Sequence, residues 1–319
     1  MISHILWIVL GLFLLIFSAD FLVKGASSVA KKFKISPLVI GLTIVAFGTS
    51  MPELIVNLLA ATKGQPGLAL GNIIGSNVAN ILLILGVSAA IRPIIVKKST
   101  IWREIPFALL ASGILLVICN DMFFDGMSSN LLSRTDALSL LVLFGIFLIY
   151  VVSLIKSDPS SVESEEITVY SGWLDFIFCV GGMTGLYLGG EFLVNHASIL
   201  ARNAGVSEAM IGLTIVAFGT SLPELITSIT AAMKKQNDIA VGNVIGSNIF
   251  NVFWILGITG SISPLAFQST QNIDLLVAFG ATALLFFGVF LKPHTITRAY
   301  GIIGVLLYLS YMGFVVYRG

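Results

Sequence analysis

The sequence predicts an all-α polytopic membrane protein, in which ten transmembrane helices form two inverted-topology repeats of five helices each. Three observations lead to this fold class. The composition is far more apolar than that of a soluble protein, ten apolar stretches are long enough to cross a bilayer, and a polar motif recurs at a fixed distance along the chain.

The composition makes lipid the main solvent of the chain. Of its 319 residues, 57% are hydrophobic and 10% are charged, and the mean hydropathy is +1.01. Soluble domains carry about 25% charged residues. The 17 basic and 16 acidic side chains nearly balance. These values exclude a soluble enzyme, a disordered protein and a nucleic-acid binder. The expected surroundings are a lipid bilayer, without nucleic acid and without an obligate protein partner.

Ten apolar runs meet the requirement of about 20 residues per membrane-spanning helix. They are continuous rather than alternating, which favours helices over barrel strands. The first run lacks a basic leading segment and a cleavage site, so we expect a membrane helix rather than a removed signal peptide. The predicted spans are residues 4–26, 37–62, 69–91, 104–119, 136–155, 171–193, 208–233, 239–261, 273–291 and 299–316.

The longest polar stretch, residues 156–168, lies between the fifth and sixth spans. Its sequence, KSDPSSVESEEIT, is too short for a domain and is typical of a solvated hinge loop. We therefore expect a first repeat over residues 1–155, the hinge over 156–168 and a second repeat over 169–319.

Basic residues predict the orientation of the chain. Ten spans put both termini on one side, and 13 of the 17 Lys and Arg residues fall in the loops that include the hinge, against 4 on the other side. The positive-inside rule then places the hinge in the cytoplasm and both termini outside. The expected location is the cell membrane, that is the inner or plasma membrane, with multiple passes.

The two halves share a repeated motif. GLTIVAFGTSMPELI at 41–55 recurs as GLTIVAFGTSLPELI at 212–226, and GNIIGSNVAN at 71–80 recurs as GNVIGSNIFN at 242–251. The offset is 171 residues, and 26 of 42 positions are identical between the motifs at 41–82 and 212–253. An odd number of spans per half inverts the second copy, which is the architecture of many secondary transporters.

Glu53 and Glu224 are the acids that lie near the middle of a predicted span. A charge at this depth costs several kcal/mol, so it is usually functional. Protonated or salt-bridged structural carboxylates are the alternative. No Lys or Arg lies at a comparable depth, which favours an exchangeable counter-cation.

The surrounding residues supply further oxygen ligands. Pro52 and Pro223 interrupt the helices, which frees nearby carbonyl groups, including those of Ala46 and Ala217, for a ligand. Helical spacing adds side-chain oxygens to each glutamate. Carboxylate, amide, hydroxyl and carbonyl oxygens suit Ca²⁺ or Na⁺ rather than zinc. The candidate ligands are Glu53, Glu224, Thr49, Thr220, Ser50, Ser221, Ser76, Ser247, Asn80, Asn251, Ala46 and Ala217.

Other polar and small residues have structural interpretations. Asn77 and Asn248 are candidates for helix–helix contacts, and the glycines of the GNxIGSN motifs are expected to pack against the broken helices. Cys119 and Cys179 have neither zinc nor disulfide spacing, so we interpret them as packing thiols. No cofactor is expected.

At these motifs the chain resembles the sodium/calcium exchangers of the Ca²⁺/cation antiporter superfamily. The resemblance covers nearly the whole chain, and the short hinge resembles prokaryotic members. It implies that Glu53 and Glu224 bind Ca²⁺ and Na⁺ in turn, with the Thr49 and Thr220 carbonyls completing the Ca²⁺ site. It also implies flanking Na⁺ sites at Ser76, Ser247, Ala46 and Ala217, with Ser50 and Ser221 at the same level and Asn80 and Asn251 in the middle.

Several alternatives remain open at this stage. Coupling to H⁺, transport of another divalent cation, or a cation channel would use similar ligands. Asn251 stands where potassium-dependent members carry Asp, which argues against K⁺ dependence. An enzyme is not expected, because the chain has no nucleophile–base pair or zinc motif. Asp20 and its equivalent Glu191 are expected to belong to a moving gate, or Asp20 to pair with Lys24 one turn away.

Overall fold

The structure is a computed structural model that describes residues 2–157, 167–205, 217–290 and 294–318. In these ranges eight helices are long and apolar enough to cross a membrane, and a bent pair raises the number to nine. The first half contains α1 (Ile2–Phe33), α2 (Pro37–Thr49), α3 (Met51–Thr62), α4 (Pro66–Ile91), β1 (Ile94–Ile95), α5 (Lys98–Ile118), α6 (Asp121–Phe124), β2 (Asn130–Leu132) and α7 (Arg134–Ser157). The second half contains α8 (Gly172–Asn203), α9 (Ala217–Thr220), α10 (Leu222–Met233), α11 (Asn237–Ile262), β3 (Leu265–Phe267), α12 (Ser269–Gly288), β4 (Thr295–Ile296) and α13 (Arg298–Arg318).

The ten-helix, two-repeat architecture agrees with the prediction. The first broken helix is formed by α2 and α3, and the second by α9 and α10. Of the predicted seventh span, residues 208–216 lie outside the described residues. The same holds for residues 158–166 of the predicted hinge.

Two predicted helix ends were wrong. Helix α1 continues to Phe33 rather than residue 26, and α8 continues to Asn203 rather than residue 193. Hydropathy marks only the lipid-immersed part of a helix, whereas the backbone ladder continues into the polar interface. Near the end of α1, Lys31 Nζ donates to the carbonyl of Ile167 over 3.0 Å. This bond places the end of α1 beside the described end of the hinge.

Each broken helix is interrupted at a serine. Helices α2 and α3 are bent by 45° at Ser50. Ser50 has φ −85° and ψ 6°, and Ser221 has φ −89° and ψ 3°, so the two breaks have the same geometry. Pro52 and Pro223 follow in the first turn of α3 and α10, where a missing N–H costs no helical hydrogen bond. The break therefore comes two residues before each proline.

Wide helical turns accompany the second motif of each repeat. Residues Ala79–Ile84 of α4 and Phe250–Leu256 of α11 are π-helical. They contain Asn80 and Asn251, respectively. π-Helical turns are rare in proteins as a whole, and those that occur are often found at functional sites. Hydropathy and composition do not distinguish them from ordinary helix, so they were not predicted.

Two short antiparallel ladders join the halves. Strand β1 pairs with β4, with Ile94 opposite Ile296. Strand β2 pairs with β3, with Leu131 opposite Ala266. These ladders were not part of the all-helical prediction, because strands of two or three residues leave no periodic signal. Each ladder ties a connection of the first half to one of the second half.

Close contacts between helices depend on glycine. A Cβ at Gly242 of α11 would lie 2.8 Å from the Leu38 carbonyl oxygen of α2, and one at Gly246 would lie 2.8 Å from the Ala46 Cβ. This confirms that these glycines pack against the first broken helix. By the repeat, Gly71 and Gly75 of α4 would pack against residues 209–217 of the second broken helix. Most of that segment lies outside the described residues. Both cysteines are free and buried, as predicted for packing thiols.

Candidate cation site

Glu53 and Glu224 occupy equivalent positions in the first turns of α3 and α10. Each is only 1% exposed. Among the described residues, no basic side chain forms an ion pair with either carboxylate. Both acidic groups are therefore buried without a protein counter-charge, which is costly unless another cation neutralises them.

Ser50, at the first break, contacts the carboxylate of the second half. Its Oγ donates to Glu224 Oε1 over 3.0 Å and lies 2.9 Å from Ser247 Oγ. Ser247 Oγ itself lies 3.5 Å from Glu224 Oε1. One oxygen of Glu224 is therefore held by a serine of its own half and by a serine of the other half.

Ser221, at the second break, makes the equivalent contacts with the first half. Its Oγ lies 3.4 Å from Glu53 Oε1 and 3.1 Å from Ser76 Oγ. Ser76 Oγ lies 3.5 Å from Glu53 Oε1. The serine of each broken helix thus contacts the glutamate of the other broken helix, so the site requires both halves.

Four asparagines form a symmetrical network beside the carboxylates. Asn80 Nδ2 donates to Asn248 Oδ1, and Asn251 Nδ2 donates to Asn77 Oδ1, both over 2.9 Å. Asn77 and Asn248 each donate their own amide group to the other's backbone carbonyl, over 3.4 and 3.3 Å. Asn77 and Asn248 therefore have the structural role that the sequence suggested as an alternative. They also orient the amides of Asn80 and Asn251, since the amide nitrogens are used as donors.

Within this site, four buried side-chain oxygens are left without a hydrogen-bond partner among the described residues. They are Oε2 of Glu53, Oε2 of Glu224, Oδ1 of Asn80 and Oδ1 of Asn251. Buried polar atoms are normally paired, so this group requires an explanation. Two carboxylate and two amide oxygens match the hard ligands that Ca²⁺ and Na⁺ prefer.

The predicted carbonyl ligands differ between the two breaks. The Ala46 carbonyl accepts a hydrogen bond from the Ser50 N–H over 3.0 Å. At the second break, the Ser221 N–H instead donates to the Phe218 carbonyl over 3.2 Å. The Ala46 carbonyl therefore takes part in the helix ladder, whereas Ser221 makes a tighter turn that bypasses the Ala217 carbonyl.

Sequence reasoning missed Asn72 and Asn243, which support the threonines at the breaks. Thr49 Oγ1 donates to Asn243 Oδ1 over 3.0 Å. Thr220 Oγ1 lies 3.4 Å from Asn72 Oδ1. The available signal was their position as the first asparagine of the repeated GNxIGSN motif.

Other acidic residues lie outside this site. Asp20 forms an ion pair with Lys24 at 2.7 Å, which confirms that alternative, and a second pair with Lys234 at 2.5 Å that was not predicted. Glu104 is fully buried and bonded to the Tyr150 hydroxyl. Glu104 lies in the first turn of the helical segment Glu104–Ile118, directly after the interruption at Arg103.

A cavity of about 470 Å³ leads towards the site. One wall is a face of α8, and the opposite wall is formed by α3 and the residues around the second break. Pro52, Thr220 and Pro223 are among its lining residues, so the cavity reaches both broken helices. The polar residues of the α8 wall recur every three or four positions and are Tyr187, Glu191, Asn195, Ser198 and Arg202.

Comparisons with known proteins agree with this architecture. A family model described as "Sodium/calcium exchanger protein" matches residues 3–153 and 174–317. The chain is 40% identical over 284 residues to "Inner membrane protein YrbG" of Escherichia coli, with 85% of each chain covered. It is 28% identical to "Sodium/calcium exchanger MaX1" of Methanosarcina acetivorans, with 97% of each covered.

A solved structure of the sodium-calcium exchanger NCX_Mj has the same fold. It superposes with a TM-score of 0.83 at 34% sequence identity, and 98% of each chain is covered. The family model spans both repeats, and this structural match covers nearly the whole chain. The chain therefore belongs to the sodium/calcium exchanger family of multi-pass membrane proteins.

Proposed function

We propose that the chain is a secondary antiporter that exchanges Na⁺ for Ca²⁺ by alternating access. The observation that carries this proposal is the group of four buried oxygens without partners, contributed by Glu53, Glu224, Asn80 and Asn251. The group has two negative charges, and no basic side chain in the described part of the chain pairs with it, so a bound cation would neutralise these charges. Relatives named as sodium/calcium exchangers support Na⁺ and Ca²⁺ as the cations.

In this proposal Glu53 and Glu224 are the ligands that both ions share. The Thr49 and Thr220 carbonyls complete a Ca²⁺ shell, since Ca²⁺ takes six to eight oxygen ligands in proteins. Asn80 and Asn251 contribute from the middle of the cluster. The flanking Na⁺ positions use the remaining candidates, which are Ser50, Ser221, Ser76, Ser247, Ala46 and Ala217.

We propose an exchange of three Na⁺ for one Ca²⁺, and the charge of the site shows what this ratio implies. Two ionised carboxylates give a charge of −2, which one Ca²⁺ or two Na⁺ neutralise. Three Na⁺ would leave a charge of +1, so exchange of three Na⁺ for one Ca²⁺ moves a net charge. Each such charge couples to about 2.3 kcal/mol per 100 mV of membrane potential. The empty site keeps its full negative charge, which opposes crossing without a bound ion.

The location and orientation follow from the distribution of basic residues. We propose a cell-membrane protein with both termini outside and the 156–168 hinge in the cytoplasm, between repeats at 1–155 and 169–319. The relative named as an inner membrane protein supports this location. The bond between Lys31 and Ile167 supports one shared side for the first loop and the hinge.

Ion flux in proteoliposomes tests the proposed exchange. Vesicles loaded with Na⁺ and diluted into Na⁺-free buffer should accumulate ⁴⁵Ca²⁺, and an inside-positive potential should accelerate uptake. A proton gradient without Na⁺ should give no uptake. Uptake at full rate without any Na⁺ gradient would indicate a channel, and uptake driven by protons alone would indicate H⁺ coupling; either result would contradict the proposal.

A further inference from the structure

Asp20 and Glu191 are equivalent residues, 171 positions apart, with different surroundings. Asp20 of α1 is paired with Lys24 and Lys234. Glu191 of α8 is exposed and lines the cavity. Among the described residues it forms no ion pair. The same acidic position is therefore neutralised in the first half and open to the cavity in the second.

The basic partner of Asp20 also has an equivalent. Lys234 follows α10 in the sequence AAMKKQ, and Lys63 follows α3 in the sequence AATKGQ, again 171 positions apart. Lys63 is exposed and, in the described part of the chain, forms no ion pair. The other partner, Lys24, has no basic equivalent, because Asn195 occupies that position.

Packing around the two acids shows the same asymmetry. Val23 of α1 is fully buried in a cluster that includes Leu222 and Ala231 of α10. Its equivalent, Val194 of α8, lines the cavity, and Leu59 of α3 lies on the opposite wall. The contact between α1 and α10 is thus closed, whereas the equivalent space between α8 and α3 is open.

We propose that Asp20–Lys234 and Glu191–Lys63 are a reciprocal pair of ion-pair latches, each formed only when the cavity beside it is closed. Two inverted repeats can exchange their conformations with the same set of contacts. In the alternate state, α8 then packs on α3 as α1 packs on α10 here. Glu191 thereby reaches Lys63, while Asp20 separates from Lys234 and lines a new cavity on the opposite side. This inference rests on the alternating access in the proposed function.

The reciprocal arrangement would give each acid, Asp20 and Glu191, either water or a lysine as its partner in both states. An acid on the wall of an open cavity is hydrated and attracts cations to it. The same acid, once its cavity closes, loses water and needs a partner. The nearby lysine supplies that partner only in the closed state, so neither acid is buried alone.

Paired cysteines can report the two latches separately. The variants D20C/K234C and K63C/E191C are treated with a short, reducible bifunctional thiosulfonate, and cross-linked peptides are quantified by mass spectrometry. The four single-cysteine variants are controls, and the native Cys119 and Cys179 remain because both are buried. Samples are compared in Na⁺, in Ca²⁺ and under opposed ion gradients.

The two yields should change in opposite directions, by at least about threefold, as the conditions shift the population between states. Cross-linking of K63C/E191C should also stop transport, and reductant should restore it. Absence of that cross-link in every condition that supports transport, or parallel changes in both yields, would overturn the latch. L59C/V194C, on the two cavity walls, is a second reporter of closure if K63C/E191C does not fold. Reciprocal yields that respond to cations other than Na⁺ and Ca²⁺ would retain the latch and refute only the proposed ions.

Discussion

Thr49 and Asn243 lie 194 positions apart in the chain, yet Thr49 Oγ1 donates a hydrogen bond of 3.0 Å to Asn243 Oδ1. Asn243 Nδ2 in turn donates to Ser228 Oγ over 2.9 Å. The asparagine is therefore fixed between the broken helix of its own half and the broken helix of the other half. Thr220 and Asn72 form the equivalent contact over 3.4 Å. Each break is held by the opposite repeat.

Removing this contact should weaken Ca²⁺ binding without removing a proposed side-chain ligand. We expect N243A and T49V each to reduce affinity by about three- to tenfold, since a buried hydrogen bond contributes about 1 kcal/mol. The double variant should lose less than the two single losses combined, because both disrupt one bond. Isothermal titration of Ca²⁺ measures these values. T49S keeps the hydroxyl and should bind Ca²⁺ normally. If the losses of affinity in N243A and T49V were fully additive in the double variant, the two side chains would not be coupled.

Neutralising either central carboxylate should abolish transport in a folded protein. Two unit charges 4 Å apart interact by about 4 kcal/mol at an effective dielectric constant of 20. At 1.4 kcal/mol per tenfold, E53Q or E224Q should therefore lose at least about 100-fold in Ca²⁺ affinity. The matched control is E104Q, which changes a buried glutamate that is bonded to Tyr150 outside the site. Normal ⁴⁵Ca²⁺ flux in E53Q or E224Q would refute their assignment.

The serines at the two breaks should have matching effects. Ser50 bonds to Glu224 and Ser221 contacts Glu53, so S50A and S221A each remove one hydroxyl from the opposite half's carboxylate. We expect each variant to lose about ten- to 100-fold in Ca²⁺ affinity, since a hydrogen bond to a charged group contributes about 1.5–3 kcal/mol. Binding titrations on the two variants provide the comparison. Unchanged Ca²⁺ affinity in S50A together with a large loss of affinity in S221A would show that the two breaks are not equivalent.

Glycines at the helix contacts should be sensitive to a single methyl group. A Cβ at Gly246 would lie 2.8 Å from the Ala46 Cβ and 3.0 Å from the Leu42 Cα. We expect G246A to lower stability by about 1–3 kcal/mol, as overpacked cores do. G280A is the control, because apart from its own helix backbone no described atom lies within 4 Å of the added Cβ. Thermal unfolding in detergent tests the difference, and equal melting temperatures would contradict the packing assignment.

The sequence was sufficient to predict the repeat and the depth of both central glutamates, whereas their role as cation ligands stays a prediction. Hydropathy records long apolar helices directly, and identical polar residues at a constant offset identify a site shared by two halves. The glutamates were recognisable because an acid in the middle of an apolar span has no ordinary structural explanation. A break about one turn upstream of each proline was also predictable, and in the first repeat it lies at Ser50, two residues before Pro52.

Contacts between distant segments were not predictable from one sequence. Asn72 and Asn243 lie in the same motif as the candidate ligands, but only the folded chain shows that they bond to threonines of the other half. Lys234 is 214 positions from Asp20, so no local spacing indicates their ion pair. The π-helical turns around Asn80 and Asn251 have the same composition as regular helix and differ only in backbone hydrogen bonding.

Competition between Na⁺ and Ca²⁺ tests the central claim, a single site shared by both ions, most directly. Ca²⁺ binding to the purified protein is titrated at a series of Na⁺ concentrations, with a non-transported organic cation keeping the ionic strength constant. The apparent Kd for Ca²⁺ should rise more steeply than the first power of the Na⁺ concentration, because several Na⁺ ions displace one Ca²⁺. A Kd that does not change with Na⁺ would contradict the shared site.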